Sequence, residues 1–454
     1  MMKRAIILLA WAACAVASVR AQDALGFDGE ESAAVGIYIK DLHSGQMVAE
    51  HNASMALTPA STMKALTTAT ALTVVGDKYS FVTHVELRGT RQGATWRGDL
   101  VVKGCADPTL ESEYFDRNTG FCDSIISKLK HMGISRVEGR VRAVGSLADA
   151  GVIPQWEVED VAWSYGAALH GVNWRDNVFR LWPATKEMKP KVPGLKIEVR
   201  KDPDGTELRR GAWSDGLLVR GRNVANKKWC VTSTMPDPAR VLEAELASRM
   251  RDAGIQVGGK KLSPEPREAT ELYAHRSPVS GRIFRSLMVR SDNMMAEGML
   301  RVIKPGGSRK DAIRREKELW AERGISLEYS GIIDGSGLAR SNRLSARTLG
   351  AVLEWMARGE HCEAYASYFP RAGKDGTLKN FMAKTSLNGQ LALKTGSVSA
   401  VQCYAGYKLD EEGRPTHVVV VMVNGFYCPR ARLREAITDY LLNIFEEKSA
   451  DDEQ

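Results

Sequence analysis

The sequence predicts an α/β protein in which both ends of the chain build one domain and a mostly β region is inserted between them. Three observations predict this fold. A strand hairpin and a buried helix come early, short alternating strands with many glycines fill the middle, and helical periodicity returns before a last set of strands and a closing helix. With 454 residues and 44% hydrophobic side chains, the chain can bury a large core in two or three domains.

The first residues predict an export signal. A positive start up to Arg4 precedes an apolar run over residues 6–17 and small residues that end at Ala21. The apolar run is shorter than the roughly 20 residues of a membrane-spanning helix. We therefore predict a signal peptide over residues 1–21 and export to the periplasm or another extracytoplasmic wall space.

Cysteine usage agrees with export. Six cysteines follow the predicted signal, an even number that suits an oxidising compartment. The sequence contains no CxxC motif, so their spacing does not indicate a zinc site. Cys105 with Cys122, and Cys403 with Cys428, are close enough in sequence to form local bridges, although the sequence leaves their pairing open.

The domain built from the chain ends is predicted over residues 22–80 and 267–446. It starts with a hairpin of strands 35–40 and 47–51, and an apolar helix over 61–75 then ends at Gly76. Its later elements are predicted as helices over 282–302, 310–323 and 346–358, strands over 391–394, 404–409 and 417–423, and a closing helix over 430–446.

Residues 81–266 are predicted as one or two inserted, mostly β domains. Their strands include 85–88, 99–102, 139–144 and 195–199, and a helix over 241–253 follows. The polar residues 447–454 are predicted to form a mobile tail.

The net charge of +8 favours anionic partners. No arginine-rich run with interleaved aromatic residues points to nucleic acid. Anionic wall polymers or lipid head groups suit this charge, which leaves association with a membrane surface open.

Ser61-Thr62-Met63-Lys64 predicts a serine nucleophile with a lysine base. Residues i and i+3 share one face of a helix, so the amine can reach the hydroxyl, and burial can keep it neutral. SxxK alone is common by chance. The copy Ser127-Lys128-Leu129-Lys130 lies in a charged helix typical of a solvated face, whereas Ser61 opens an apolar helix whose free N–H groups favour negative charge. Because no GxSxG is present, a histidine-based hydrolase has little support.

Two further motifs follow along the chain. In Ser291-Asp292-Asn293 the hydroxyl can pass a proton and the carboxamide can hold a substrate amide, although the same residues could simply cap the next helix. Lys394-Thr395-Gly396-Ser397 ends an apolar strand. A strand edge can bind an extended peptide, the lysine and hydroxyls can hold a carboxylate, and the glycine allows close approach.

The order SxxK, SxN, KTG resembles that of the penicillin-recognising serine enzymes. The chain is most similar to their type-4 low-molecular-mass penicillin-binding proteins, the D-Ala-D-Ala carboxypeptidase/endopeptidase family, in which inserted domains fill a long gap such as that between Ser61 and Ser291. Residues 104–110 resemble the family's GDPTL segment and residues 334–338 its DGSGL segment. The resemblance implies a β-lactamase/transpeptidase-like domain, an antiparallel sheet flanked by helices.

The resemblance also implies roles for the reacting groups. Ser61 would attack the carbonyl of the penultimate D-Ala with Lys64 as its base, Ser291 would protonate the departing D-Ala, and Asn293 would hold the substrate amide. No metal or cofactor would take part.

Substrate binding would fall to the third motif. Lys394, Thr395 and Ser397 would bind the terminal carboxylate, Lys394 would also help keep the base neutral, and the N–H groups of Ser61 and Ser397 would hold the oxyanion. Residues 156–160 and 165–167 are similar to a stretch that borders a side-chain pocket in some members, where Asp160 would meet the free amine of a diamino acid. Their aromatic residues would otherwise be plain core residues.

The predicted partners are peptidoglycan stem peptides and β-lactam antibiotics, with penicillins acting as inhibitors. Two alternatives differ from this prediction. A serine β-lactamase needs a second base for deacylation, and no glutamate is placed as in class A enzymes. A non-catalytic module for wall binding or penicillin sensing would not need a nucleophile and base. The sequence leaves carboxypeptidase and endopeptidase activity unseparated.

Overall fold

The computed structural model describes residues 25–116, 119–211, 214–259 and 268–451. The predicted signal over residues 1–21 and the last three residues of the predicted tail lie outside the described residues. Within the described part, no helix is long and apolar enough to cross a membrane.

Strands and helices alternate along the chain as follows. The start of the described chain contains β1 (Ala34–Asp41), β2 (Met47–His51), β3 (Ala56–Leu57) and α1 (Met63–Val75). The middle contains β4 (Val82–Gln92), β5 (Thr95–Gly104), α2 (Phe121–His131), β6 (Arg136–Val137), β7 (Val141–Gly145), β8 (Val178–Trp182), β9 (Glu187–Lys189), β10 (Lys196–Lys201), β11 (Glu207–Arg209), β12 (Gly216–Gly221), β13 (Val231–Thr234), α3 (Pro238–Asp252), β14 (Gln256–Val257) and β15 (Ala269–Arg276). The remainder contains α4 (Ser280–Arg290), α5 (Asn293–Val302), α6 (Arg309–Ala321), β16 (Leu344–Ser345), α7 (Ala346–Arg358), α8 (Cys362–Ser367), β17 (Leu391–Val398), β18 (Val401–Leu409), β19 (Pro415–Asn424) and α9 (Arg430–Asp451).

A five-stranded antiparallel sheet joins the two ends of the chain, in the order β17-β18-β19-β1-β2. Its central strand β19 is buried from Val418 to Val423 and reads as an almost unbroken valine run, because helices cover both faces. Alternate residues of this run pack with α7 on one face and with α9 on the other. The predicted α/β domain built from both chain ends is therefore confirmed.

Helix α1 lies inside this domain, and every residue from Met63 to Leu72 is buried. A helix that is apolar all round belongs in a core rather than at a surface. Its one charged residue, Lys64, has no exposed surface, so its amine needs partners within the protein.

The inserted region has its own core and three sheets. A six-stranded sheet contains β14-β6-β5-β4-β15 with β7 beside β5, and two three-stranded sheets have the orders β10-β12-β11 and β13-β8-β9. Strand β15 returns alongside β4, with Arg276 opposite Val82. Because the chain enters and leaves the insertion on neighbouring strands, we place its end after Arg276, ten residues beyond the predicted boundary at 266.

Three expectations differ from the structure. The single helix predicted over 282–302 is two helices, α4 and α5, broken where Ser291 adopts a left-handed conformation (φ 61°, ψ 38°). The closing helix α9 continues to Asp451 instead of ending near residue 446. The local bridges that the spacing allowed, Cys105–Cys122 and Cys403–Cys428, do not form in this structure, since all six described cysteines are free thiols; Cys122 and Cys403 are buried in two different cores.

Candidate active site

Ser61, the predicted nucleophile, lies at the entrance of α1. Ala60 has a left-handed backbone (φ 45°), and a single 3₁₀ turn over Ala60–Thr62 leads into the helix. The one-turn spacing of SxxK brings the Lys64 Nζ to 2.9 Å from the Ser61 Oγ. The hydroxyl and the amine are therefore within the reach that proton transfer requires.

The Lys64 amine has three oxygen partners. Besides the Ser61 Oγ, its Nζ lies 2.6 Å from the Asn293 Oδ1 and 2.6 Å from the Ser336 carbonyl oxygen. A neutral amine has two N–H donors and one lone pair. Both carbonyl-type oxygens can only accept, so they take the two N–H groups and leave the lone pair for the one partner with a proton to give, the Ser61 hydroxyl.

Burial also favours the neutral amine. It lowers the pKa of Lys64 to about 8, while the nearby carboxylates of Asp334, Asp292 and Glu297 raise that pKa and limit the shift. The Lys394 amine is equally buried, and burial followed by repulsion from Lys64 lowers its pKa well below the usual value. For Lys394, desolvation is the larger of these two causes, and the predicted help of Lys394 in keeping Lys64 neutral remains a prediction.

The three residues of the second motif, Ser291, Asp292 and Asn293, make different contacts. The Asp292 carboxylate caps α5 by accepting from the Met295 N–H at 2.7 Å, so the helix-cap interpretation holds for this residue. Asn293 instead accepts a hydrogen bond from the Lys64 amine through its Oδ1 and donates from its Nδ2 to the Tyr165 carbonyl at 2.7 Å. The left-handed backbone at Ser291 turns the chain between α4 and α5, and Ser291 lines the same cleft as Ser61.

The third motif lies in strand β17, at the edge of the main sheet and next to Ser61. At Gly396, an added Cβ would lie 2.5 Å from the Pro59 carbonyl oxygen and 3.2 Å from the Ser61 nitrogen, so only glycine permits this approach. The Thr395 hydroxyl bonds to the Thr377 hydroxyl at 2.8 Å, and the Lys394 Nζ donates to the Thr395 carbonyl at 2.7 Å.

Arg430, at the start of α9, holds the far end of β17 and was not among the predicted site residues. Its guanidinium donates to the Ser397 Oγ at 2.7 Å, to the Gln402 Oε1 at 2.8 Å and to the Val398 carbonyl at 2.8 Å. The Ser397 hydroxyl donates in turn to the Gln402 Oε1 at 3.0 Å. This network brings a positive charge beside the predicted carboxylate-binding residues.

The inserted region supplies the opposite wall of the cleft. Asp160 lines the cleft together with Ser61 and accepts a hydrogen bond from the Tyr165 hydroxyl at 3.0 Å. Trp156 is buried and donates through its Nε1 to the Asp334 carboxylate at 2.8 Å, so it is a core residue, the alternative that the sequence left open. Tyr165 is 46% exposed and is not a core residue.

The segment over residues 334–338 packs against Ala60 and Lys64, on either side of the predicted nucleophile in the chain, a contact that its resemblance alone did not reveal. The buried Asp334 carboxylate accepts from the backbone N–H groups of Gly337 and Ala339 and from the Asn342 side chain. This turn aims the Ser336 carbonyl at Lys64. Gly337 (φ +79°) packs so tightly that an added Cβ would lie 1.8 Å from the Ala60 carbonyl oxygen.

We expect Gly337→Ala to destabilise the protein by on the order of 2 kcal/mol and to slow acylation of Ser61, because it adds both backbone strain and a clash with the turn that carries the nucleophile. Gly324→Ala is the matched control, since Gly324 has nearly the same φ (+78°) but open space around its Cα. Denaturant unfolding of both variants measures the difference. Equal losses would show that the contact with Ala60 contributes nothing.

Two cavities meet at the second motif. The first, of about 460 Å³ and named here the Ser61 cavity, is lined by Ser61, Asp160 and Ser397 among others. The second, of about 570 Å³ and named the Thr377 cavity, is lined by Tyr114, Asp176 and Thr377 among others. Both are also lined by Tyr165, Arg290, Ser291 and Asn293. A groove therefore passes on both sides of Ser291.

Comparisons with known proteins cover almost the whole chain. Residues 17–441 match the model of the D-Ala-D-Ala carboxypeptidase 3 (S13) family. A D-alanyl-D-alanine carboxypeptidase DacB of Haemophilus influenzae is 26% identical over 423 residues, which cover 87% of this chain and 86% of the relative. A D-alanyl-D-alanine carboxypeptidase of Actinomadura sp. (strain R39) is 26% identical over 430 residues, which cover 86% of this chain and 78% of the relative.

Solved structures share the fold. The crystal structure of penicillin binding protein 4 from Haemophilus influenzae superimposes with a TM-score of 0.77 at 23% identity, covering 91% of this chain and 97% of that one. A predatory endopeptidase from Bdellovibrio bacteriovorus matches with a TM-score of 0.54 at 16% identity, covering 92% of this chain and 94% of that one. Both main sheet and insertion are therefore parts of a known architecture.

Proposed function

The chain belongs to the D-Ala-D-Ala carboxypeptidase 3 (S13) family, and we propose that it hydrolyses D-Ala-D-Ala bonds of peptidoglycan stem peptides through an acyl-enzyme on Ser61. The family predicted from the three motifs is thus correct. The observation that carries the proposed mechanism is the set of three contacts around the Lys64 amine, which leaves its lone pair for the Ser61 proton.

In the first step, Lys64 takes the hydroxyl proton of Ser61 while the Ser61 Oγ bonds to the carbonyl carbon of the penultimate D-Ala. The backbone N–H groups of Ser61 and Ser397 would stabilise the oxyanion. The close packing of Gly396 against the Ser61 nitrogen supports this pairing, because it brings the two backbones that carry these donors together.

In the second step, the C–N bond breaks and the leaving nitrogen receives a proton from the Ser291 hydroxyl, which is restored by the proton held on Lys64. Water then attacks the ester, giving a free carboxylate on the shortened peptide and regenerating Ser61. The position of Ser291 on the wall common to both cavities supports its role as proton donor to a group that leaves between them.

The terminal carboxylate of the substrate would bind at Lys394, Thr395 and Ser397. The Arg430 guanidinium supplies positive charge at the Ser397 end of this strand, which supports the assignment although burial lowers the pKa of Lys394. Asp160, on the opposite wall of the Ser61 cavity, would accept from the free amine of a diamino acid in the stem peptide.

The place of action follows from the substrate. Peptidoglycan lies outside the cytoplasmic membrane, so the protein must be exported, in agreement with the signal predicted over residues 1–21. The net charge of +8 would favour contact with anionic wall polymers or lipid head groups at that surface.

The direct test is release of D-alanine from a pentapeptide that ends in D-Ala-D-Ala, measured with and without prior treatment with penicillin. We expect release by the untreated protein and its loss after treatment. If penicillin does not affect the release of D-alanine, penicillin and the peptide do not acylate the same serine. If the protein binds penicillin but releases no D-alanine, it is a sensing module. Fast destruction of the penicillin itself would indicate a β-lactamase.

A further inference from the structure

Glu297 is a buried carboxylate of α5 that takes no part in the proposed reaction steps. It is 4% exposed and lies one helical turn after Asn293, whose Oδ1 accepts from the Lys64 amine. Residues four apart lie on the same face of a helix. A carboxylate is rarely buried without a specific partner, because the loss of its hydration is costly. The contacts of Glu297 therefore need an explanation.

The partner of Glu297 is the turn that holds the Lys64 amine. The Glu297 Oε1 accepts from the Ser336 N–H at 2.9 Å, and the Thr67 hydroxyl of α1 donates to the Gly335 carbonyl at 2.8 Å. These two contacts fix both sides of one peptide group between α5 and α1. The next carbonyl, that of Ser336, lies 2.6 Å from the Lys64 Nζ. A rotation of the fixed peptide group would move this acceptor away from the amine.

The turn also packs directly on α5. At Gly335, an added Cβ would lie 3.0 Å from the Leu300 Cβ and 3.2 Å from the Ala296 carbonyl oxygen. Glu297 belongs to the same stretch of the helix, so its hydrogen bond and this packing act on the same peptide group.

Charged groups from several elements surround Glu297 and the base. A small cavity of about 10 Å³ is lined by Glu297 together with Asp149, Arg301 and Arg309. The charged or titratable groups around Glu297 and Lys64 are Asp149 of the insertion, Asp292 and Arg301 at the two ends of α5, Arg309 of α6, Asp334 of the turn and Lys394 of β17.

Glu297 is ionised in the pH range in which Lys64 loses its proton. Burial, followed by repulsion from Asp334, raises the pKa of Glu297 to about 7, whereas hydrogen bonding to Ser336 and the charge of Arg309 lower that pKa. Burial lowers the pKa of Lys64 to about 8, and the Glu297 carboxylate is one of the charges that raise it. Above about pH 7, Glu297 therefore favours the ammonium form of Lys64.

This charge acts when the base has accepted its proton. As the Ser61 O–H bond breaks and the Oγ bonds to the substrate carbonyl carbon, the proton passes to the lone pair of Lys64. The resulting ammonium group has no exposed surface, so a nearby anion lowers the cost of forming it. Glu297 supplies such a charge from behind the cleft, since it contacts the base only through Ser336.

We infer that Glu297 is a positioning residue for the general base: it holds the Ser336 peptide that binds one N–H of the Lys64 amine, and its charge stabilises the ammonium group formed when Ser61 loses its proton. The inference rests on the proposed function, because it takes Lys64 as the base for Ser61. It makes the strength of the base depend on a carboxylate that does not line the Ser61 cavity.

The test is the pH dependence of penicillin acylation in Glu297→Gln, measured by stopped flow. Glutamine keeps the volume and the acceptor for the Ser336 N–H but removes the charge. Because Lys64 becomes a weaker base, we expect the midpoint of the acid limb to move about half a pH unit lower and the rate above that limb to fall about twofold, so that the two profiles cross. Glu297→Ala, which also removes the acceptor, should lower the rate about tenfold at every pH.

The matched control is Glu316→Gln. Glu316 is also fully buried, burial also raises its pKa to about 7, and its Oε1 accepts from Thr70 of the same helix α1 at 2.8 Å, but its Oε2 has no hydrogen-bond partner. Because this carboxylate does not hold the turn at Ser336, the control should leave the midpoint of the profile unaltered.

The glutamine variant alone decides the outcome, so the test stands even if Glu297→Ala does not fold. A Glu297→Gln profile that coincides with that of the wild type, or that loses rate at every pH with an unchanged midpoint, would overturn the inference and leave the proposed function intact. An equal shift of the midpoint in Glu316→Gln would also overturn it. A wild-type protein that penicillin does not acylate would overturn the proposed function as well.

Discussion

Replacing Ser61 with alanine will abolish the covalent penicillin adduct and lower kcat/KM for D-Ala-D-Ala hydrolysis by about 10⁴-fold or more. The reason is that only the hydroxyl group is removed, and without it Lys64 has no nucleophile to deprotonate although its contacts with Asn293 and Ser336 remain. Intact-mass measurement after mixing with penicillin gives a direct readout.

The chain contains a matched control for this experiment. Ser127 begins another SxxK sequence, on the exposed face of α2, so Ser127→Ala should retain the adduct and the hydrolysis rate. An adduct that persists in Ser61→Ala would mean that another residue is acylated. The mechanism proposed here would then be wrong.

Lys64→Met should lower the acylation rate by about 10²- to 10⁴-fold, the contribution typical of a positioned general base. In the wild type, the base works only when neutral, and its pKa is lowered to about 8. Acylation should therefore rise with pH through about 8 and fall about tenfold for each pH unit below it. The variant should lose this pH dependence, because methionine has no proton to lose. Stopped-flow acylation across pH checks both expectations.

Lys130→Met, which removes an exposed lysine of the other SxxK sequence, serves as the control and should retain both the rate and the pH profile. A wild-type profile that is flat through pH 8 would contradict Lys64 as the titrating base. A Lys64→Met variant with the same slope as the wild type would assign the titration to another group.

The sequence was informative where function requires specific residue types in a fixed order. A hydroxyl and an amine three residues apart share a helix face, so the contact between Ser61 and Lys64 could be predicted. The valine-rich strand β19 must be covered on both sides, so the main sheet could be predicted as well. The alternation of apolar and polar residues in the inserted region also allowed its strands to be predicted. These features depend on local periodicity, which a single sequence records.

Features that depend on contacts between distant segments were not predictable. The sequence offered a helix cap at the second motif, but the residue type of Ser291 does not indicate the left-handed backbone that separates α4 from α5 there. Arg430 contacts Ser397 across 33 residues of chain, and nothing in the local sequence marks it. The even number of cysteines suggested disulfide bridges. In the structure Cys122 and Cys403 instead lie in cores, where they pack as small apolar side chains.

The chain separation of the Lys64 contacts has a consequence for how activity arises. Asn293 is 229 residues and Ser336 272 residues beyond the lysine that they bind, with an insertion that has its own core in between. Closing such long loops is slow, and the insertion can gain native packing before they close. During refolding, recovery of the insertion's tertiary structure should therefore precede recovery of acylation. A newly made chain should have no acylation activity until the segments that carry Asn293 and Ser336 pack against α1.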